Sequence, residues 1–515
     1  MTPVRFTRVA LLAAFVAAAH AAEPFAVLAP ADFAPHVERF NTMEPETVVN
    51  AVPNAAAWDW LRANIPLFTC PDRDVEEIYF FRWWSLRKHL IQTKTPAGGY
   101  AFTEFLTRAD PISSAVGHHV METRWLRDPR FTDDYARHWL RGGPDGALNP
   151  KLHNFSGWLP HALYSRYLVN LDRPFVTSLL DDLVRDYAQW DKDRLTPGGL
   201  YWQFDVRDAM EESISGSRTK KNLRPPLNSY QFGNATAIAA LARLAGRTDL
   251  AREFDAKAAA LRRLVEEKLW DADAKFFKVR LEDGALSDAR EEIGFIPWYF
   301  SLPTPGRGYE AAWSQFADDA GFRAPFGLTT AERRHPKFRT HGVGKCEWDG
   351  AVWPYATSQT LTALANVLRD YPSAPVTTRD WFEAMLTYTR SQHLDGRPFV
   401  GEYLDEKTGA WINRGDRSRY YHTRRSPTSS SPASSASSRA PTMSWKFFHS
   451  YPPARGIGSA STVWPTTAAR SRSSGIAPAK NSTAAQASPS SPMENPSPTP
   501  PRSPASPPGF RSHAP

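Results

Sequence analysis

Apolar residues recur every three to four positions along most of the chain between Trp58 and Asp370, and loops rich in Gly and Pro separate these stretches. This spacing places apolar side chains on one face of a helix. The clearest helical runs are 75–90, 131–140, 176–189, 235–245, 250–269 and 358–368. Strand-like alternation is limited to short pieces such as 276–281, before the turn Asp283-Gly284. Many helices and few strands predict an all-α architecture with short hairpins at one end.

The helical pattern stops after His422, and the remaining residues, 423–515, are dominated by Ser, Pro, Ala and Arg. A segment of this composition cannot bury an apolar core, so we predict a disordered tail. We interpret the tail as a GC-rich gene read out of frame; a natural linker or tail is the alternative. The predicted organisation is a signal peptide (1–21), an N-terminal extension (22–57), a catalytic domain (58–422) and the tail (423–515).

The first residues have the features of a bacterial export signal. Arg5 and Arg8 precede an apolar stretch, 9–19, that is too short to span a bilayer, and Ala19-His20-Ala21 forms a small-x-small cleavage site. We therefore expect an exported protein, periplasmic or secreted, and the rest of the chain contains no apolar span that could cross a membrane.

The net charge of +8 and the pI of 9.3 raise the question of a nucleic-acid partner. The excess lies mainly in the Arg-rich tail, and no basic run interleaved with aromatic residues precedes it. We expect no nucleic-acid partner, and we expect a monomer. Cys70 and Cys346 have no metal-type spacing, and whether they form a disulfide stays open.

Four carboxylates fall within eight residues at Asp205, Asp208, Glu211 and Glu212, beside Trp202. Crowding such groups in a cleft raises at least one pKa through burial and like-charge repulsion, and a carboxyl that stays protonated can act as a general acid. The alternative is a helix N-terminus enriched in acidic residues because of the helix dipole.

Two further clusters contain candidate residues for sugar binding and for a second catalytic carboxylate. Trp348, Asp349 and Trp353 precede a predicted helix, and their indole rings and carboxylate are suited to binding a sugar; Trp353-Pro354 can also simply begin that helix. Glu402 opens a Gly-bounded acidic segment, 401–409. A second carboxylate there would supply the base that glycoside hydrolysis needs besides the acid.

Other chemistries have weak support. The sequence contains no Gly-x-Ser-x-Gly elbow, no phosphate-binding loop and no His-Glu-x-x-His motif. His118 and Glu122 could share a helical face as metal ligands, but a third ligand is not evident. We therefore predict neither a metal nor a cofactor.

The clusters resemble the motifs of inverting (α/α)6-toroid hydrolases, namely glycoside hydrolase family 63 and the bacterial mannosylglycerate-hydrolase-like proteins, with trehalase more distant. The segment 208–213, Asp-Ala-Met-Glu-Glu-Ser, is similar to the family's Ser-Gly-Met-Asp-Asn-Ser, whose Asp is the general acid. The segment 402–409 is similar to the motif that carries the general base. The similarity extends over about residues 78–422.

This resemblance implies an all-α (α/α)6 toroid of the six-hairpin glycosidase type and inverting hydrolysis of an O-glycosidic bond in a carbohydrate. Glu211 takes the acid position, Asp208 can share that role, and Glu402 is the base. The implied substrate-binding residues are Trp202, Arg224, Asn228, Tyr230, Trp348, Asp349 and Trp353. Two alternatives remain: a polysaccharide lyase on a similar toroid, using His118, Tyr230 and Arg224, and a glycan-binding protein without catalysis.

Overall fold

The structure is a computed structural model that describes residues 28–95, 98–340, 342–413, 415 and 419–421, and the backbone of 446–448. The chain divides into two units, Met1–Ala460 and Ser461–Pro515, and every described residue lies in the first. The predicted signal peptide and nearly all of the predicted tail lie outside the described residues.

Helices dominate the described part of the chain. In chain order they are α1 (Ala34–Thr42), α2 (Ala57–Asn64), α3 (Arg73–Lys88), α4 (Val116–Thr123), α5 (Arg130–Arg141), α6 (Leu159–Asn170), α7 (Arg173–Ser178), α8 (Leu180–Arg194), α9 (Pro225–Leu244), α10 (Thr248–Lys268), α11 (Ile296–Tyr299), α12 (Pro354–Asp370) and α13 (Thr378–Arg390). Each predicted helical run lies on one of these helices, except that 176–189 is divided between α7 and α8.

The strands are short and form two-stranded antiparallel pairs. They are β1 (Leu67–Thr69), β2 (Leu90–Gln92), β3 (Tyr100–Phe102), β4 (Trp270–Asp271), β5 (Phe276–Phe277), β6 (Arg323–Ala324), β7 (Gly327–Leu328), β8 (His393–Leu394), β9 (Arg397–Pro398) and β10 (Lys446–Phe448). The strand predicted at 276–281 is therefore confined to its first two residues. β1 pairs with β10, so three residues of the predicted tail form a strand beside the helical part.

Local sequence explains where the principal helices begin and end. The Asp72 side chain accepts hydrogen bonds from the first turn of α3, and Thr377 and Asp380 form a capping box at α13. Prolines open α9 and α12, where a missing backbone N–H carries no penalty. Gly246 adopts φ 75° in the tight connection between α9 and α10.

Inner and outer helices differ in how they are buried. α3, α9 and α12 are buried along most of their length, whereas α10 buries only one face, which packs on α9. Tryptophan supplies much of this packing. Among the described residues, seven tryptophan side chains are fully buried, which assigns them to the core rather than to a sugar cleft: Trp84, Trp139, Trp158, Trp298, Trp313, Trp348 and Trp411.

The C-terminal helix α13 packs against α3 near the start of the helical region. Arg390 donates a hydrogen bond to Asp72 (Nη2 to Oδ2, 2.7 Å), and His393 Nε2 lies 3.9 Å from Glu77 Oε2. The nearby Glu77 carboxylate raises the pKa of His393. Burial acts to raise the pKa of Glu77, but His393 and Arg39 outweigh it and hold that pKa below its ordinary value. These ion pairs therefore join α3 and the residue before it to α13 and to β8, which follows α13.

No described helix combines the length and the apolar character required to cross a membrane. The disulfide that the sequence left open is not formed between Cys70 and Cys346 in the described structure. The Cys70 thiol instead donates to the Asp72 carbonyl oxygen at 3.1 Å, and burial raises its pKa to about 11.

Gly233 in the middle of α9 allows close contact with the Phe300 ring, since an added Cβ would lie 2.2 Å from Phe300 Cδ1. We predict that Gly233→Ala lowers the free energy of unfolding by about 1–3 kcal/mol, although alanine is the better helix former. Urea denaturation measures the change. Thr236→Ala, on the exposed face of the same helix, is the control; an unchanged or higher stability for Gly233→Ala would contradict the packing argument.

The α3–α13 contact should depend on pH. Because the pKa of His393 is raised and that of Glu77 is lowered, the pair stabilises fully between about pH 4.5 and 6.5. The stabilisation is lost as the pH rises through the folded pKa of His393. We predict that His393→Gln lowers the free energy of unfolding at pH 5.5 by at most about 1 kcal/mol, and that the difference shrinks toward pH 9. Denaturation at both pH values, with the exposed Arg379→Gln as control, checks this; an equal effect at both would refute it.

Candidate active site

Glu211 lies on a loop, 205–217, that precedes α9 and that we call the acid loop. A short 3-10 turn, Asp205–Arg207, opens it, and the residues on either side of Met210-Glu211 have left-handed backbones: φ is 58° at Ala209 and 66° at Glu212. Such conformations cost non-glycine residues about 1 kcal/mol each and persist where surrounding contacts impose them. The acid loop is therefore held in a defined, strained conformation.

The Glu211 carboxyl lies among other acidic groups. Its pKa is raised to about 7, chiefly by burial; a backbone hydrogen bond opposes the shift, and the charges of Asp205, Glu104 and Glu402 add to it. The carboxyl is therefore partly protonated near neutral pH, the state in which it can donate a proton to a leaving group.

Glu402 reaches the same place from a different part of the chain. It is 7% exposed, and its Oε2 accepts a hydrogen bond from Asn413 Nδ2 at 2.9 Å. Isolated bridges join Leu404 to Val352 and to Trp411, so neighbouring segments hold this loop in register. The two carboxylates that the sequence assigned as acid and base thus interact electrostatically, although about 190 residues separate them in the chain.

Asp208 has a different environment from Glu211. Arg224 Nε donates to its Oδ2 at 2.6 Å, Ser156 Oγ donates to its Oδ1 at 2.6 Å, and the side chains of Asp208 and Arg224 are completely buried. Burial raises the pKa of Asp208, and the Arg224 charge opposes that shift. Both carboxylate oxygens of Asp208 accept from protein donors, so neither is available to a substrate. Arg224 is likewise engaged by Asp208.

The tryptophans expected to bind sugar are largely packed among themselves. Trp348 and Tyr403 both stack on Trp353, each at a centroid distance of 4.6 Å, and Trp348 and Trp353 are 1% and 2% exposed. The Trp353 ring therefore has no open face for a sugar. Trp202 is half-buried, with the charged groups of Arg194 and Lys221 4.5 and 4.9 Å from its ring centroid.

The remaining predicted binding residues also make protein contacts. The Asn228 amide bonds the backbone N–H and carbonyl of Tyr201 at 2.8 Å each, and also the Arg224 carbonyl. Tyr230 is fully buried and accepts from Gln359 at 3.0 Å. Asp349 Oδ2 accepts from the backbone of Thr340 and Gly342, at 3.0 and 2.9 Å, and so shapes the loop before α12. Asn228 and Asp349 thus hold nearby backbone, whereas Tyr230 links α9 to α12 through the Gln359 side chain.

The loop 339–349 connects the acid loop to the segment that carries Glu402. Arg339 pairs with Glu347, Asp405 and Glu406, while Lys345 Nζ lies 3.6 Å from Glu212 Oε2. The hydroxyl of Tyr403, next to Glu402, donates to the Lys345 carbonyl oxygen.

Sequence reasoning missed Glu104, which follows β3. It is 5% exposed and accepts hydrogen bonds from Tyr421 at 2.7 Å and from Ser114 at 3.3 Å, and its charge raises the pKa of Glu211. A single acidic residue among apolar neighbours was the available signal. Nothing in the local pattern links it to residues in distant parts of the chain.

The structure does not support the metal pair weighed from the sequence. Glu122 Oε2 accepts from Arg82 at 2.7 Å, and the His118 ring packs against Trp158 and Tyr355. Within the described residues, no group of three His, Cys, Asp or Glu side chains is placed to hold a metal ion.

The raised pKa of Glu211 has a consequence for stability. The folded protein retains this proton up to about pH 7 and the unfolded chain loses it near pH 4.5, so stability falls across that window as the pH rises. We predict that Glu211→Gln increases the free energy of unfolding by about 1–3 kcal/mol at pH 8 and not at pH 4. Urea denaturation at both pH values, with Glu212→Gln as control, measures this, and a difference independent of pH would contradict it.

Comparison with known structures supports the fold. The chain is similar to a protein named sialidase, with a TM-score of 0.75 and 47% identity over 78% of this chain, and it spans 37% of that protein. It is also similar to the GH63 mannosylglycerate hydrolase from Thermus thermophilus in complex with glucose, with a TM-score of 0.53 and 15% identity over 68% of this chain and 98% of that one. The predicted six-hairpin glycosidase fold is therefore confirmed.

A family model described as the mannosylglycerate hydrolase MGH1-like glycoside hydrolase domain matches residues 109–423. This match spans more than half of the chain and includes the acid loop and Glu402. It confirms the family resemblance inferred from the sequence motifs. The chain thus belongs to the MGH1-like glycoside hydrolases, which are similar to family 63.

Proposed function

We propose that this protein hydrolyses an O-glycosidic bond by an inverting mechanism in which Glu211 is the general acid and Glu402 the general base. One observation carries the proposal: the half-buried Glu211 carboxyl, with its pKa raised to about 7, lies within the electrostatic influence of the Glu402 carboxylate. Glycoside hydrolysis needs such a pair, one group protonated and the other ionised.

In this mechanism Glu211 donates its proton to the glycosidic oxygen as the bond to the anomeric carbon breaks. Glu402 accepts a proton from a water molecule that attacks the anomeric carbon from the opposite face. An inverting site needs about 6.5–9.5 Å between the carboxyl groups to admit this water. The hydrogen bond from Asn413 restricts the orientation of the Glu402 carboxylate and so helps to aim the base.

The names of the similar proteins suggest which sugars to test as substrates. The Thermus relative is named a mannosylglycerate hydrolase and the other relative a sialidase. Mannosylglycerate and sialosides therefore belong in the first substrate panel, together with aryl glycosides of neutral sugars. We also propose export of the protein, on the basis of Arg5, Arg8 and the apolar stretch that follows.

We predict that Glu402→Gln lowers kcat by about 10²–10⁴-fold, because the attacking water loses its base. The measurement is product formation on the substrate panel by the wild type and by Glu402→Gln. Glu212→Gln is the matched control: it changes another acidic residue of the candidate site, one that pairs with Arg218 at 2.9 Å, and we expect it to retain activity.

The stereochemistry of the first product, followed by NMR, decides the mechanism. Release of the inverted anomer agrees with the proposal, and release of the retained anomer overturns the inverting step. Unsaturated products that absorb in the ultraviolet would indicate a lyase. Sugar binding without turnover by the folded wild type would indicate a glycan-binding protein.

A further inference from the structure

Asp208 lies three residues before Glu211 and joins the acid loop to two other parts of the fold. Asp208 accepts hydrogen bonds from Arg224, the residue immediately before α9, and from Ser156, in the segment before α6. The Ser156 backbone N–H also donates to the Arg207 carbonyl at 2.8 Å. The beginning of the acid loop is therefore attached to the segments that lead into α6 and into the buried helix α9.

The end of the loop is attached to the same arginine. Arg224 Nη2 donates to Ser213 Oγ at 3.3 Å, so one guanidinium contacts both sides of the Glu211 turn. Two residues further on, the Ser215 hydroxyl donates to Glu291, a carboxylate that is 4% exposed.

The segment between these attachments cannot keep its conformation by itself. Ala209 and Glu212 hold left-handed backbones that alanine and glutamate disfavour, and neither lies in a helix or a strand. Contacts outside the segment must hold it, and the Asp208–Arg224 pair is the charged, fully buried contact that closes it.

We propose that the buried Asp208–Arg224 pair, with Ser156 and Ser213, positions Glu211 by clamping both ends of the strained turn that carries it. This inference rests on the proposed role of Glu211 as the acid. Asp208 is then a positioning residue rather than a second acid, because both its oxygens are engaged by protein donors. Arg224 likewise acts on the loop, not on a sugar.

Three variants test the clamp. Asp208→Asn removes the charge of the pair at nearly constant shape. Ser213→Ala removes the hydroxyl that accepts from Arg224 at the far end of the turn and leaves the Asp208–Arg224 pair in place. Asp133→Asn is the matched control, because it breaks another buried Asp–Arg pair, with Arg166 of α6, outside the acid loop.

The first readout needs no substrate. Amide hydrogen exchange of residues 205–217 should become faster in Asp208→Asn and in Ser213→Ala, and stay unchanged in Asp133→Asn. Unchanged exchange in both loop variants would overturn the clamp, whether or not the wild type hydrolyses any glycoside. This arm separates failure of the clamp from failure of the proposed function.

The second readout compares leaving groups on the sugar that the wild type hydrolyses. Aryl glycosides of weakly acidic phenols need a proton from the acid, whereas dinitrophenyl glycosides need little help. Asp208→Asn should lower kcat by about 100-fold on the former and Ser213→Ala by less, with KM little changed. The loss should be much smaller on dinitrophenyl glycosides, as for Glu211→Gln.

Asp133→Asn should lower the melting temperature and leave kcat unchanged for both leaving groups. An equal loss on both classes of aryl glycoside in Ser213→Ala would show a general loss of structure and overturn the positioning role. Full activity of Asp208→Asn on poor leaving groups would overturn it as well.

Discussion

The buried ion pair between Asp208 and Arg224 is the contact on which the candidate site depends. Two charges removed from water are tolerated when each is matched, and here the carboxylate receives Arg224 and Ser156 while the guanidinium reaches Asp208 and Ser213. The pair lies where the segment after the acid loop enters α9. It therefore connects a rigid inner helix to a loop that would otherwise relax away from its left-handed conformation.

Carboxylates with opposite tasks can share this region because their environments differ. Asp208 is matched by a full positive charge, whereas Glu211 is half-buried with acidic groups around it. Burial and like-charge repulsion then keep a proton on Glu211 near neutral pH. Glu104, bound by Tyr421 and Ser114, adds to this repulsion from another segment of the chain. The pKa of Glu211 thus depends on groups from at least three regions of the sequence.

The aromatic residues hold the loops that carry the acidic groups. Tyr403 follows Glu402 directly and stacks on Trp353, which stacks on Trp348 in the loop before α12. Arg339 then ties that loop to Asp405 and Glu406. Stacked rings lose little conformational entropy on burial and pack at fixed distances. The base segment is consequently held by the same loop whose Lys345 approaches Glu212 of the acid loop.

The helices α3, α5, α8, α9, α10 and α12 could be predicted from the sequence alone, and Glu211 and Glu402 could be proposed from it, because helical periodicity and acidic motifs are local signals. The roles of Trp353, Asn228 and Asp208 could not be predicted in this way. The sequence does not distinguish an exposed tryptophan from a stacked one, or an unpaired aspartate from one that pairs with Arg224. The contribution of Glu104 could not be predicted for a related reason: its partners lie in distant segments of the chain, and only folding brings them together. The sequence by itself determined which local elements form and which residues can carry charge. The tertiary structure decided which of those charges are buried, paired or crowded, because burial and Coulomb interactions depend on distances in space rather than along the chain.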